Sequence, residues 1–225
     1  MRNICIIENW HNRADDIKSI LNKMGVSSKV LKLYLNDKIP AINDYDGFIL
    51  SGGPMSVYQA NNTEYLFLNK IKHLIKNCMT EKIPTFGICL GAQLIAESLG
   101  SQIVKMAQMD AGIRKIKMID SAENPLMLGL NTFNVFVFHR DHILNIPENC
   151  ILTATSNGCK VEGFSHKSLP IHGVQFHPEV PSNKAKRILH EWSIDQQTDN
   201  GNMLLNDLDK NIGYKILTNF LKQCH

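Results

Sequence analysis

Short apolar runs alternate with amphipathic stretches through the N-terminal half of the chain. Ile4, Cys5, Ile6 and Ile7 follow one another between Asn3 and Glu8, the pattern of a strand buried on both faces. Ala14, Ile17, Leu21 and Met24 then recur at helical spacing, and Gly25 ends that helix. Val30 to Leu35 alternates and predicts a second strand. Asp46 to Leu50 predicts a third, running into Ser51-Gly52-Gly53-Pro54. Phe67, Ile71, Leu74, Ile75 and Cys78 mark an amphipathic helix. Pro84 to Ile88 predicts another strand, and Ala92 to Leu99 another helix. This alternation implies a parallel sheet covered on both faces.

The pattern changes in the middle. Ile103-Val104, Ile113 to Ile119, Phe133 to Phe138, Ile151 to Thr155, Val161 to Phe164 and Ile171 to Phe176 all read as strands, with little helix between them. Antiparallel pairing is expected there. Helical spacing returns at Ala185, Ile188, Leu189 and Trp192, and again at Ile212, Ile216 and Phe220. The polar stretch Ser193 to Asn202 predicts a surface loop. The expectation is a three-layer α/β fold: an open, mostly parallel sheet with helices on both faces and some antiparallel strands in the C-terminal half. No boundary divides the chain, so residues 1–225 are expected to form one domain.

Composition adds only exclusions. Apolar residues make up 44% of the 225, enough for a sizeable core. The formal charge of +3 comes from 24 basic and 21 acidic residues with no long basic run, which argues against a nucleic-acid partner. The first apolar run is too short for a signal peptide, and no run approaches the roughly 20 residues of a membrane span. A soluble cytoplasmic protein without membrane contact is expected. None of the six cysteines sits in a C-x-x-C pair, so most read as small buried hydrophobes.

Cys89 stands apart because of its neighbours. Gly87-Ile88-Cys89-Leu90-Gly91 lies at a strand-to-helix junction, the layout of a nucleophile elbow with cysteine in place of serine. A helix beginning there would point its N-terminus at the sulfur and favour the thiolate. Taken alone, the pentapeptide also fits a buried cysteine in a glycine-flanked turn. Phe176-His177-Pro178-Glu179 supplies a base and a group to orient it, and Pro178 pushes His177 towards an extended conformation. Cys89, His177 and Glu179 thus match a nucleophile–base–orienter triad. By itself a His-Pro-Glu segment also fits a surface turn. Ser51-Gly52-Gly53-Pro54 follows a strand and could expose backbone N–H groups to an oxyanion, as could the Leu90 N–H after the nucleophile. An ordinary turn would read the same way. No Walker loop or Gly-x-Gly-x-x-Gly fingerprint is present.

Gly87 to Gln93, Ser51 to Pro54 and Gly173 to Glu179 together resemble the three hallmarks of the class I (triad) glutamine amidotransferases, in order and spacing, over nearly the whole chain. Phe138-His139-Arg140-Asp141-His142, Pro147 and Val161 to Phe164 are most similar to free-standing domains of the GMP synthetase type. The resemblance implies a flavodoxin-like fold. It implies that Cys89 forms a glutamyl thioester, that His177 moves the proton and that Glu179 orients His177. Gly53 and Leu90 would form the oxyanion hole. Gly52, Gln93, His139 and Asp141 would contact the substrate. It also implies a partner, because no synthetase domain is attached. No cofactor and no metal are expected: His139 and His142 read as a loop pair without a third ligand.

Two departures bear on the substrate. Phe138 stands where many of these synthetases have serine, and Arg140 where they have glycine. They leave open a stand-alone γ-glutamyl hydrolase or peptidase. A catalytically silent binding or regulatory module is the reading of another class, and the intact triad residues count against it.

Overall fold

The computed structural model describes residues 2–119, 124–195 and 208–224. One nine-stranded sheet organises it. The strands are β1 (Asn3–Ile7), β2 (Ser27–Leu31), β3 (Gly47–Leu50), β4 (Thr85–Ile88), β5 (Ile103–Met118), β6 (Phe133–Ile143), β7 (Cys150–Thr155), β8 (Gly163–His166) and β9 (Ile171–Val174). Their order across the sheet is β2-β1-β3-β4-β9-β8-β7-β5-β6. The first five are mutually parallel; β8, β7, β5 and β6 join antiparallel. The α-helices among the described residues are α1 (Asp15–Lys23), α2 (Phe67–Thr80), α3 (Leu90–Ser98), α4 (Ser182–Asp195) and α5 (Ile212–Leu221).

The period of two along the strands decides the layers. Cys5, Ile7, Phe48 and Leu50 point to one face and pack with α2 and α3 through Leu68, Ile71, Ile75, Leu94 and Ile95. Ile4, Ile6, Ile49, Phe86 and Ile88 point to the other and pack with α1 and α5 through Ile17, Leu21, Ile216 and Phe220. The central strands β3 and β4 are buried along their whole length, which is why they read as continuous apolar runs. A smaller cluster of Ile113, Phe136, Val180, Ala185 and Leu189 seats α4.

Several boundaries differ from expectation. The second strand is Ser27–Leu31, and Leu33–Leu35 forms a 3₁₀ turn ended by Asn36 at φ 65°. Alternation in a short turn mimics a strand because only Leu33 of the three is buried. Ile103-Val104 and Ile113 to Ile119 belong to one long strand, β5, whose pairing with β6 breaks between Lys105 and Asp110. That irregularity hides the continuity from the sequence pattern. β6 runs on to Ile143, so His139 and His142 lie on a strand and not in a loop. Of the polar stretch expected as a loop, residues 193–195 close α4 and the rest lies outside the described residues. Among the described residues, no helix is long and apolar enough to cross a membrane.

Candidate active site

Three adjacent parallel strands, β3, β4 and β9, each end on a segment that the sequence singled out. Ligands in open α/β sheets bind outside the carboxyl ends of such strands. Cys89 follows β4 with φ 52° and ψ −109°, a conformation that costs a non-glycine residue about 1–3 kcal/mol. Cys89 N–H donates to Val174 O at 2.8 Å, and Cys89 O accepts from Gln93 N at 3.0 Å. The turn is held from both sides. Glycines at 87 and 91 are demanded by space: a Cβ on Gly87 would stand 2.5 Å from Ala92 N, and one on Gly91 would enter the Leu50 main chain.

His177 follows β9 and is tied back to β6, its N–H donating to Phe136 O at 2.8 Å. Its ring Nδ1 bonds Glu179 Oε1 at 2.8 Å. Pro178 lies between them, and both side chains are buried. Nε2 therefore remains for Cys89. Burial alone would disfavour the imidazolium, but the negative charges of Glu179 and of a Cys89 thiolate, and a hydrogen bond with each, push His177 up to about 10. The His177–Glu179 pair thus holds the imidazolium at neutral pH.

This pair sets a pH dependence. A histidine held above its ordinary value near 6.5 stabilises the fold fully below that value. That contribution is lost as the pH rises towards 10. The alkaline limb of kcat/KM should therefore fall only near pH 10, about tenfold per unit beyond. Glu179→Gln should draw the limb to lower pH in a pH–rate profile. An unmoved limb would remove Glu179 from this role.

Gly52 lies under the His177 ring, where a Cβ would meet His177 Cε1 at 2.9 Å. Gly53 lies against the Leu90 and Met55 side chains. The turn is fixed from below: Ser51 Oγ accepts from Asn9 N at 3.0 Å and donates to Gly52 O at 3.0 Å, and Asn9 Nδ2 donates to Ser51 O. Leu90 is the first residue of α3, where N–H groups have no intrahelical acceptor.

Cys89, Gly53, Gln93, His139, Asp141, His177 and Glu179 all line one cleft of about 520 Å³, within the range of small-molecule sites. Gly52 and Leu90 flank it without lining it. Asp141 is tied to the opposite wall: its carboxylate accepts from Ser56 Oγ and from Tyr58 Oη at 3.3 Å. Gln93 is less free than the sequence suggests. Its Nε2 donates to Asp141 O and to Gln175 Oε1, both at 3.0 Å. His139 is held by Nδ1 on Asp141 O at 3.0 Å.

The sequence leaves Ser56, Tyr58 and Gln175 without roles. Gln175 is fully buried, and its Nε2 donates to Cys89 Sγ at 3.6 Å. Its signal is a polar residue inside the apolar run that leads to His177. All six cysteines are free and buried. Burial pushes the thiols of Cys5, Cys150 and Cys224 up to about 12 and that of Cys78 to about 11, so these four are inert near neutral pH.

Phe138 and Arg140 both reach the cleft. Phe138 stacks on Phe136 at 6.0 Å and meets Trp192 of α4 edge-on at 6.3 Å. Arg140 is exposed, and Arg13, Lys105 and Lys184 share the cleft lining with it.

The sequence profile of the family described as "Glutamine amidotransferase class-I" matches residues 6–195. A protein of Methanocaldococcus jannaschii, described as a glutamine-hydrolyzing subunit of GMP synthase, is 32% identical over 214 residues, covering 94% of this chain and 98% of its own. One of the same description from Pyrococcus furiosus is 34% identical over 179 residues, covering 79% of this chain and 89% of its own. Among solved structures, a putative GMP synthase subunit from Thermoplasma acidophilum superposes with a TM-score of 0.73 at 27% identity, covering 100% of this chain and 94% of its own. A glutamine amidotransferase of Thermotoga maritima reaches 0.84 at 22% identity, covering 99% and 97%, and bears on the fold alone.

Proposed function

The chain belongs to the class-I glutamine amidotransferase family, and we propose from that premise that it is the glutamine-hydrolysing subunit of a GMP synthase-type enzyme, releasing ammonia for a separate synthetase subunit. The observation that carries the mechanism is the His177–Glu179 pair beneath a cysteine on a strained elbow.

Cys89 Sγ, as the thiolate, attacks the side-chain carbonyl carbon of glutamine. The C–O π electrons move to oxygen, and the oxyanion is met by the N–H groups of Gly53 and Leu90. One such donor is worth about 3–4 kcal/mol in the transition state. The intermediate collapses, the C–N bond breaks, and His177 Nε2 gives its proton to the departing ammonia. A water then attacks the thioester. His177 takes the water's proton, glutamate leaves, and the thiolate is restored. Glu179 keeps Nδ1 occupied throughout, so that only Nε2 exchanges protons. Gln93 and Asp141 would secure the α-amino and α-carboxylate end of the substrate, with Gly52 below the ring and His139 holding the Asp141 main chain from behind. The whole chain, residues 1–225, acts as one domain and works in the cytoplasm. Glutamine is the substrate, and the synthetase is the protein partner.

The test is ammonia release from glutamine with and without the cognate synthetase loaded with its nucleotide substrates. Release should rise at least about tenfold with the loaded partner. Equal turnover with and without it would contradict a role as one half of a two-chain synthase.

One observation favours a second reading, a stand-alone γ-glutamyl hydrolase. Phe138, Trp192 and Arg140 build an aromatic and cationic mouth that can hold more than a single amino acid. Under that reading, γ-glutamyl peptides turn over faster than glutamine. Arg140→Ala then raises KM for the anionic conjugates by about tenfold and leaves glutamine unaffected. A panel of such peptides in the ammonia and amine assay decides between the two.

A further inference from the structure

Behind the cleft wall, three buried side chains from distant parts of the chain face one another. Asp110 and His139 lie opposite each other across the β5–β6 pair, Asp110 at the end of the register break. Glu162 comes from the residue before β8, where its N–H donates to Ala154 O at 3.0 Å and its O accepts from Gln175 N at 2.8 Å. Exposures are 6%, 4% and 0%. One ligand-capable atom from each lies within 4.8 Å of the other two.

All three present lone pairs to a common point. His139 Nδ1 faces the carbonyl of Asp141, which can only accept, so Nδ1 carries the proton. Nε2 therefore has a lone pair, and it lies 4.0 Å from Asp110 Oδ2 without a hydrogen-bond partner. Glu162 Oε1 accepts from Ser156 Oγ at 2.7 Å, while Oε2 has no partner. Arg114 Nη2 pairs with the other oxygen of Asp110, Oδ1, at 2.6 Å and leaves Oδ2 turned inward. Gly158 passes close over Oδ2, where a Cβ would stand 2.8 Å away. A buried imidazole lone pair facing two carboxylates suits a positive guest.

We propose that Asp110, His139 and Glu162 form a binding site for one divalent transition-metal ion of the zinc type, held by His139 Nε2, Asp110 Oδ2 and Glu162 Oε2. One nitrogen and two carboxylate oxygens suit zinc better than calcium or magnesium. Bond lengths of about 2.0–2.2 Å require the three atoms to close in by roughly an ångström. The Nδ1–H bond to a backbone carbonyl is the outer-shell partner that metal-bound histidines use. The ion would pin β5, β6 and the segment before β8 together. Through Asp141 O, which also accepts from Gln93, it would fix the main chain at the cleft wall. The site is independent of the triad reading.

Zinc binding is measured on the metal-stripped Cys89→Ala chain, so that the catalytic thiol cannot hold the ion. The expected result is one zinc per chain by elemental analysis. Calorimetry should give a single binding step, and Tm should rise by about 5–10 °C at a hundredfold excess over Kd. Adding Glu162→Gln or Asp110→Asn to that background should weaken binding at least about 100-fold. Cobalt(II) in the Cys89→Ala chain should show weak ligand-field bands without a thiolate charge-transfer band. Absence of binding, binding unaffected by both carboxylate variants, or a thiolate band that places the ion on a cysteine would each overturn the proposal.

Discussion

Cys89→Ala should abolish ammonia release from glutamine, lowering kcat/KM by about 10⁴-fold or more, while the protein stays folded. Without the sulfur there is no thioester, and a positioned imidazole cannot replace covalent catalysis. The structural cost is small. The residue keeps its backbone geometry, and what is lost is the Gln175 Nε2 bond to sulfur, about 1–2 kcal/mol, together with the His177 contact. A coupled assay for ammonia beside a thermal melt checks both halves. Persistent hydrolysis by the folded variant would remove Cys89 from the chemistry. Cys5, Cys78, Cys150 and Cys224 cannot replace it, being buried and pushed to about 11 or above.

The second large effect is expected from a single methyl group. Gly91→Ala would place its Cβ against Leu50, 2.7 Å from Leu50 Cβ and 2.8 Å from its carbonyl carbon. Leu50 is the last residue of β3 and precedes the Ser51-Gly52-Gly53 turn. Backbone cannot rotate away, so α3 and β3 must separate. The expected loss is about 3 kcal/mol, a Tm lower by roughly 6–12 °C. Activity should fall further than stability explains, at least about 100-fold at a temperature where the variant is folded, because the elbow and the Gly53 turn are pushed apart together. Tm and kcat measured on the same preparation separate the two effects. Wild-type kcat in Gly91→Ala would show that the two turns are not held in register by this contact.

The site is legible in the sequence because its chemistry is local. Gly87 to Gly91 and His177 to Glu179 are short segments, and the chain order of strands explains why they meet: β3, β4 and β9 are neighbours. Buried parallel strands such as Gly47–Leu50 are equally clear, since burial on both faces leaves only apolar residues. What the sequence hides is long-range. The 3₁₀ turn Leu33–Leu35 passes for strand because three residues do not distinguish the two periods. β5 reads as two strands because a register break at Lys105–Asp110 interrupts alternation. In sequence, the natural companion of His139 is His142. Its companions in space, Asp110 and Glu162, are brought there by the pairing of β5 with β6 and by the loop before β8. Gln93 reads as a residue that faces a ligand; it lines the cleft and also links Asp141 to Gln175, a network assembled from three separate elements that the sequence does not show.

The mechanism rests on a covalent intermediate at one sulfur. Its most direct test is intact-mass and peptide mapping after incubation with a γ-electrophilic glutamine analogue. The expected result is one label per chain, on the peptide carrying Cys89, slowed by added glutamine. The label should form at least about 100-fold more slowly in His177→Ala, which lacks the base that raises the thiolate fraction. Continued glutamine hydrolysis with no label on Cys89, or label spread over several of the six cysteines at similar rates, would contradict it.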